Sequence, residues 1–280
     1  MTRIHLDEVS ARLTQLPALP SVVAELLASF NDEESDIGKL VLSIARDQAL
    51  TAQLLRVANS SFYGLQSRIS TINEALVVLG FRSVRSLLLA VGINRAFRTA
   101  QCAGFDPLGY MRHGIGVGLA ARELARESGR NVEMAFTAGV LHDIGELVLA
   151  SCFGEQYAAA LAYRNRHDCP LIVAERDVLG VDHAQVGGLL ADTWHFPGTL
   201  RSAVVDHHAP AAATADSLAD VIHVAEAVSV ALGQAKNDRD MVLPVDPTAW
   251  RRLGLDRAKI AAILPTVLDG MDEACAAFNV

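Results

Sequence analysis

An imidazole and a carboxylate stand side by side, as His142-Asp143, inside the otherwise apolar run VLHDIGELVLA. A chain that buries this run must bring partners to both groups, because an unpaired polar group away from water is costly and an unpaired charge more so. Further histidines recur along the second half of the chain, at His113, His183 and the adjacent pair His207-His208. Neutral imidazole nitrogens, with a carboxylate able to bridge two cations, form a metal-ligand set. The competing reading is a collection of ordinary core and surface histidines, since nine in 280 residues is an unremarkable number.

The rest of the pattern predicts an all-α protein. Helical periodicity dominates and no long alternating strand pattern occurs. LPALPSVVAELLASF (16–30) opens on two prolines and sets Val22, Val23, Leu26 and Leu27 on one broad face. IGKLVLSIARD reads as the next helix, and Asp47 can cap the one after it, DQALTAQLLRVANSS. Thr71 and Glu74 form a capping box that opens TINEALVVLG, with Gly80 closing it and FRSVRSLLLAVGINRAF continuing to about Arg98. QCAGFDPLG has the turn residues of a linker. A second helical set follows, with His113 in the first turns of one helix and His142-Asp143 within a single apolar helix, NVEMAFTAGVLHDIGELVLASCF. Neighbours on a helix lie about 100° apart, so that doublet can flank one ion. The last helix, AKIAAILPTVLDGMDEACAAF, is expected to be interrupted by Pro265. The expected architecture is two packed helical sets, 1–108 and 109–280, the second a helical bundle.

Half of the chain is apolar and only a fifth charged, which suits an aliphatic helical core. A net charge of −8 argues against a protein that binds nucleic acid by neutralising phosphates, so no nucleic acid is expected as a partner. TINEALVVLGFRSVRSLLL has the outline of a helix-turn-helix but is better read as a packing hairpin. Cysteines 102, 152, 169 and 275 form no C-x-x-C pair and suit a reducing compartment. The N-terminal residues carry charges where a signal peptide would be apolar, and no apolar stretch is long enough to span a bilayer. A cytoplasmic location without a membrane contact is the expectation.

The ordered segments carry a resemblance. LPALPSVVAELL, DQALTAQLLRVANSSFYG, ISTINEALVVLGFRSVRSLLL, RHGIGVGLAARELA, AGVLHDIGELVL, AERDVLGVDHAQVGGLLADTWHFP and VVDHH follow one another over about 15–212. Together they resemble the HDOD family, the HD-related output domains of bacterial signalling proteins, themselves similar to the HD phosphohydrolases. The resemblance implies a first metal-binding histidine at His113, the doublet at His142-Asp143, and a final acid at Glu226, where the pattern has Asp. His183, His207 and His208 match the extra histidines of the branch that cleaves cyclic dinucleotides at multi-metal centres. That branch carries lysine where this chain has Glu146, and its GYP tripeptide is missing after His208.

The resemblance therefore implies a regulatory or scaffolding module acting through other signalling proteins, with a link to cyclic-dinucleotide pathways. The alternative it implies is a metal-dependent phosphohydrolase acting on a nucleotide or cyclic dinucleotide. The cofactor expected in either case is a divalent transition metal: Fe, Mn, Ni or Zn. Arg82, Arg85 and Arg112 are the candidate phosphate handles, each weighed against a solvated role. Glu175 and Asp182 read as helix caps or surface acids, Trp194 as a core seal, and Phe62 and Tyr63 as loop anchors.

Overall fold

The computed structural model describes residues 3–16, 19–29, 37–60, 68–97, 102–210, 218–234, 236–237, 240–278 and 280. Among these, every regular element is a helix, as the periodicity predicts. The helices in chain order are α1 (Leu6–Leu13), α2 (Ser21–Ala28), α3 (Ile37–Arg46), α4 (Gln48–Ala58), α5 (Ile72–Ala96), α6 (Pro107–Glu127), α7 (Val132–Leu141), α8 (Ile144–Cys152), α9 (Gly154–His167), α10 (Leu171–Val178), α11 (His183–Thr193), α12 (Gly198–Asp206), α13 (Ala219–Ala231), α14 (Pro247–Arg252) and α15 (Arg257–Phe278).

Local chemistry sets many of these boundaries. Asp47, Asp106 and Asn131 each accept a backbone N–H of the helix that follows, satisfying a donor with no partner inside the helix. Thr71 Oγ1 accepts from Glu74 N at 3.1 Å, while the Glu74 carboxylate reaches back to Ser70 N at 2.6 Å. Gly80 (φ 80°, ψ 155°) breaks the helical path inside α5 at the position expected for a helix end. Asp182 caps α11 in a full capping box with Gln185.

Two local expectations fail. The doublet does not lie on one continuous helix: a turn at His142 and Asp143 separates α7 from α8. Pro265 does not interrupt α15, which runs through it for 22 residues. α1 and α14 also appear, without having been expected from the sequence.

α6 is the central helix, packed along α7, α13 and α15, while α11 lies across α8 and α12. α2, α3 and α4 gather around α5, which meets α7; α1 rests on α11, and α15 reaches α4. One continuous apolar core joins Ile4 and Val9 to Met271 and Phe278. Glycines permit the tightest crossings. A Cβ on Gly139 would come within 2.6 Å of Gly118 Cα, and one on Gly145 would overlap the His183 carbonyl. Against the expectation from the sequence, two segments are by length and composition apolar enough to cross a bilayer, Ile72–Ile93 and Val132–Cys152. The first is bent at Gly80, and the second is broken at the doublet and enclosed by other helices over 89% of its residues.

Candidate metal centre

The seven residues read from the sequence as metal ligands are brought together. His113 comes from α6, the doublet from the α7–α8 turn, and His183 from the first position of α11. His207 and His208 follow the end of α12, and Glu226 lies on α13. They form two adjoining groups, Asp143 with His183, His207 and His208, and His113 with His142 and Glu226. Within each group the candidate donor atoms lie within 4.8 Å of one another. All are buried except the half-buried His208 and Glu226.

Asp143 sits between the groups. His183 Nε2 and His207 Nε2 lie 3.3 and 3.5 Å from its Oδ1, whereas His142 Nε2 and His113 Nε2 lie 3.0 and 3.7 Å from its Oδ2. Four rings are held by their other nitrogen. His113 Nδ1 lies 3.1 Å from the Gln234 carbonyl, His142 Nδ1 2.7 Å from that of Gly139, and His207 Nδ1 2.8 Å from that of Val204. His183 Nδ1 lies 2.6 Å from Glu175 Oε2, which also accepts the His183 backbone N–H at 2.9 Å. Donation of Nδ1–H to a carbonyl or carboxylate fixes the tautomer and leaves the Nε2 lone pair facing the centre, as metal-bound imidazoles require.

Fit to a metal is tested by the atoms left over. His113 Nε2, His142 Nε2 and Asp143 Oδ1 are buried without a hydrogen-bond partner, and each such group costs about 1–3 kcal/mol unless something binds it. His183 Nε2 also lies 2.9 Å from His208 Nε2 and 3.4 Å from His207 Nε2, so three ring nitrogens crowd one point. A cation within the first group would satisfy Asp143 Oδ1 and the three crowded ring nitrogens, while His113 Nε2 and His142 Nε2 belong to the second group; the donor set suits Zn, Fe, Mn or Ni.

The electrostatics agree. Burial alone would lower the His183 pKa, but the Glu175 carboxylate, with Asp143 and Glu146, raises it to about 10. Burial raises Asp143, yet His142 and Lys236 hold it well below the usual carboxylate range. Burial lifts Glu146 to about 7 against the pull of Lys236. Burial and Lys236 push His113 well down, and burial with His207 and His183 does the same to His208. The surroundings thus favour positive charge on His183, and to a lesser degree on His142, beside Asp143, and neutral imidazole at His113 and His208.

Other candidates land elsewhere. Arg82 and Arg112 are exposed, and Arg85 donates to the Ser29 carbonyl at 2.8 Å; none of the three lines the cleft above the centre. Trp194 is half-buried against Phe97, at 5.5 Å between ring centroids. Phe62 and Tyr63 lie outside the described residues. Glu175 is fully buried behind His183, which corrects its reading as a surface acid, while its bond to the His183 backbone N–H at the start of α11 agrees with the cap reading.

Two cations that sequence reasoning passed over do line the cleft, which measures about 510 Å³ with its open mouth included. Lys236 places its ammonium between the carboxylates of Asp143 and Glu146. Arg164, buried on α9, pairs with Asp240 at 2.9 Å. His223 was also missed. Its Nε2 accepts from Asp246 N at 2.9 Å, so its Nδ1–H donates to the His207 carbonyl at 2.7 Å and steadies that candidate ligand.

The family model of the HDOD domain matches residues 16–210. This chain belongs to the HDOD family. An HDOD domain protein of unknown function from Geobacter sulfurreducens has the same fold, at a TM-score of 0.80 and 22% identity over 97% of this chain and 96% of that one. A candidate phosphohydrolase from Shewanella amazonensis SB2B is 25% identical at a TM-score of 0.76, covering 97% of each chain. An uncharacterized protein of Treponema pallidum (strain Nichols) is 27% identical over 202 residues, 71% of this chain and 39% of that protein. The HDOD chain thus spans well under half the length of that relative.

Proposed function

We propose that this HDOD protein is a metal-binding signalling module, regulatory rather than catalytic, that acts through other signalling proteins. The observation that carries the reading is the convergence of four tethered imidazoles on Asp143, with ring nitrogens and a carboxylate oxygen left unsatisfied at the centre. Bound metal would supply cross-linking between the α7–α8 turn, α11 and the end of α12, coupling the packing of these elements to ion occupancy. Glu146 at the cleft, standing where the cyclic-dinucleotide-cleaving branch carries lysine and engaging Lys236, supports regulation over turnover, since it occupies a cation that a phosphoryl group would otherwise meet. Partner contacts are proposed for the helices ahead of 109, where Leu42 and Val77 are exposed apolar side chains. A cytoplasmic setting and a connection to cyclic-dinucleotide signalling belong to the same proposal.

A second reading, metal-dependent phosphodiester hydrolysis, draws support from Arg164 and Lys236 at the cleft and from the name of the Shewanella relative. There, metal would lower the pKa of a bound water and screen phosphoryl oxygens. Incubation of the Mn²⁺-loaded protein with a chromogenic phosphodiester and with cyclic dinucleotides separates the two. The regulatory reading expects the native chain and Asp143→Ala to give the same background rate. Turnover that vanishes in Asp143→Ala would replace it with the hydrolase reading.

A further inference from the structure

Asp143 directs its two oxygens to different partners: Oδ1 faces His183 and His207, while Oδ2 faces His142 and His113 and also accepts the Lys236 ammonium. The lysine is the only residue of this surrounding that brings a permanent positive charge into contact with the bridging carboxylate among the described residues. Its backbone is fixed on both sides. Asp240 Oδ2 accepts Lys236 N at 2.7 Å and Asn237 N at 3.2 Å, and Asp240 Oδ1 is in turn held by Arg164. Two residues earlier, the Gln234 carbonyl faces His113 Nδ1, and the Gln234 side chain approaches Ser229 Oγ at 3.3 Å. The ammonium therefore has a defined address rather than the freedom of a surface lysine.

We infer that Lys236 is a built-in cation that takes the place of a second metal ion. The centre then holds one divalent ion, on Asp143 Oδ1, His183, His207 and His208, while the lysine neutralises Asp143 Oδ2 and Glu146 beside His113 and His142. The inference rests on the reading of this cluster as a metal centre, and adds to it the number of ions and the residue that sets it. Charge repulsion supplies the physical reason. A divalent ion on Oδ2 would meet an ammonium sharing the same oxygen, and two cations on one buried oxygen repel strongly.

Titration of the metal-free protein with Mn²⁺, read by electron paramagnetic resonance and by elemental analysis, tests this directly. The native chain should take up one equivalent and give the signal of an isolated ion. Lys236→Met should take up two and give the signal of an exchange-coupled pair. Because removal of the lysine leaves two buried carboxylates facing each other, Lys236→Met/Glu146→Gln serves as a second variant that retains no excess buried charge; it too should bind two. Two coupled ions in the native chain, or a single ion in the folded double variant, would overturn the inference while leaving the metal centre standing. A native chain that binds no Mn²⁺ would remove both.

Discussion

Asp143 occupies the N-cap position of α8, where an aspartate ordinarily accepts a backbone N–H of the first turn. Here its side chain makes no such bond and turns instead to the histidines and Lys236. Forgoing the cap is the local cost of aiming the carboxylate inward, the kind of departure from local preference that marks functional positions. Behind His183, Glu175 plays the complementary part, orienting the ring and raising the basicity of its free nitrogen. Glu175→Gln should therefore weaken metal affinity about 10–100-fold with the helices intact, as read by calorimetric titration. Unchanged affinity would show that the carboxylate serves packing alone. The metal-type residues were legible because ligand chemistry restricts residue type and the family pattern fixes their order. Glu175, Lys236 and His223 were not, since their roles depend on contacts that only the fold creates. Lys236 meets residues 93 and 90 positions away, from a segment with no periodic pattern to announce it.

At the scale of elements, the turn between α7 and α8 and the crossing of α8 on α11 determine whether the ligands meet. The sequence shows an unbroken apolar periodicity across the doublet, so hydrophobic pattern alone predicts one helix. The break arises because His142 must hold the Gly139 carbonyl while Asp143 faces the opposite group, a demand that tertiary contacts impose. Gly145 is the crossing point: besides the His183 carbonyl, an added Cβ would lie 2.7 Å from Gly187 N. Both obstacles are backbone and cannot swing away. Gly145→Ala should cost about 1–3 kcal/mol of stability by overpacking, measured by urea denaturation, and should weaken metal uptake by displacing His183. A variant that keeps native stability would contradict this account of the α8–α11 contact. By contrast, the helix end at Gly80 was readable directly, because a positive φ there follows from local chemistry rather than from distant packing.

For the molecule as a whole, the proposed ligands of the ion come from elements spread over residues 143–208, so ion binding and folding would be linked. At a free ion concentration about 100 times the dissociation constant, the linkage adds roughly 2.7 kcal/mol. In a chain of this size that corresponds to a rise in Tm of roughly 5–10 °C. Calorimetric scans should show this rise for the native protein, its reversal by a chelator, and no comparable rise for Asp143→Ala. Fold class was the most legible level of all, since capped amphipathic segments specify helices and an aliphatic composition specifies how they pack. The central claim is that these helices converge to hold a divalent ion. Anomalous diffraction from a crystal of the Mn²⁺- or Zn²⁺-loaded protein tests it most directly. The account predicts a peak bound by Asp143 Oδ1 and the Nε2 atoms of His183, His207 and His208, at roughly 2.0–2.2 Å for zinc. A loaded crystal with no peak there, or with the ion held only by surface carboxylates, would contradict it.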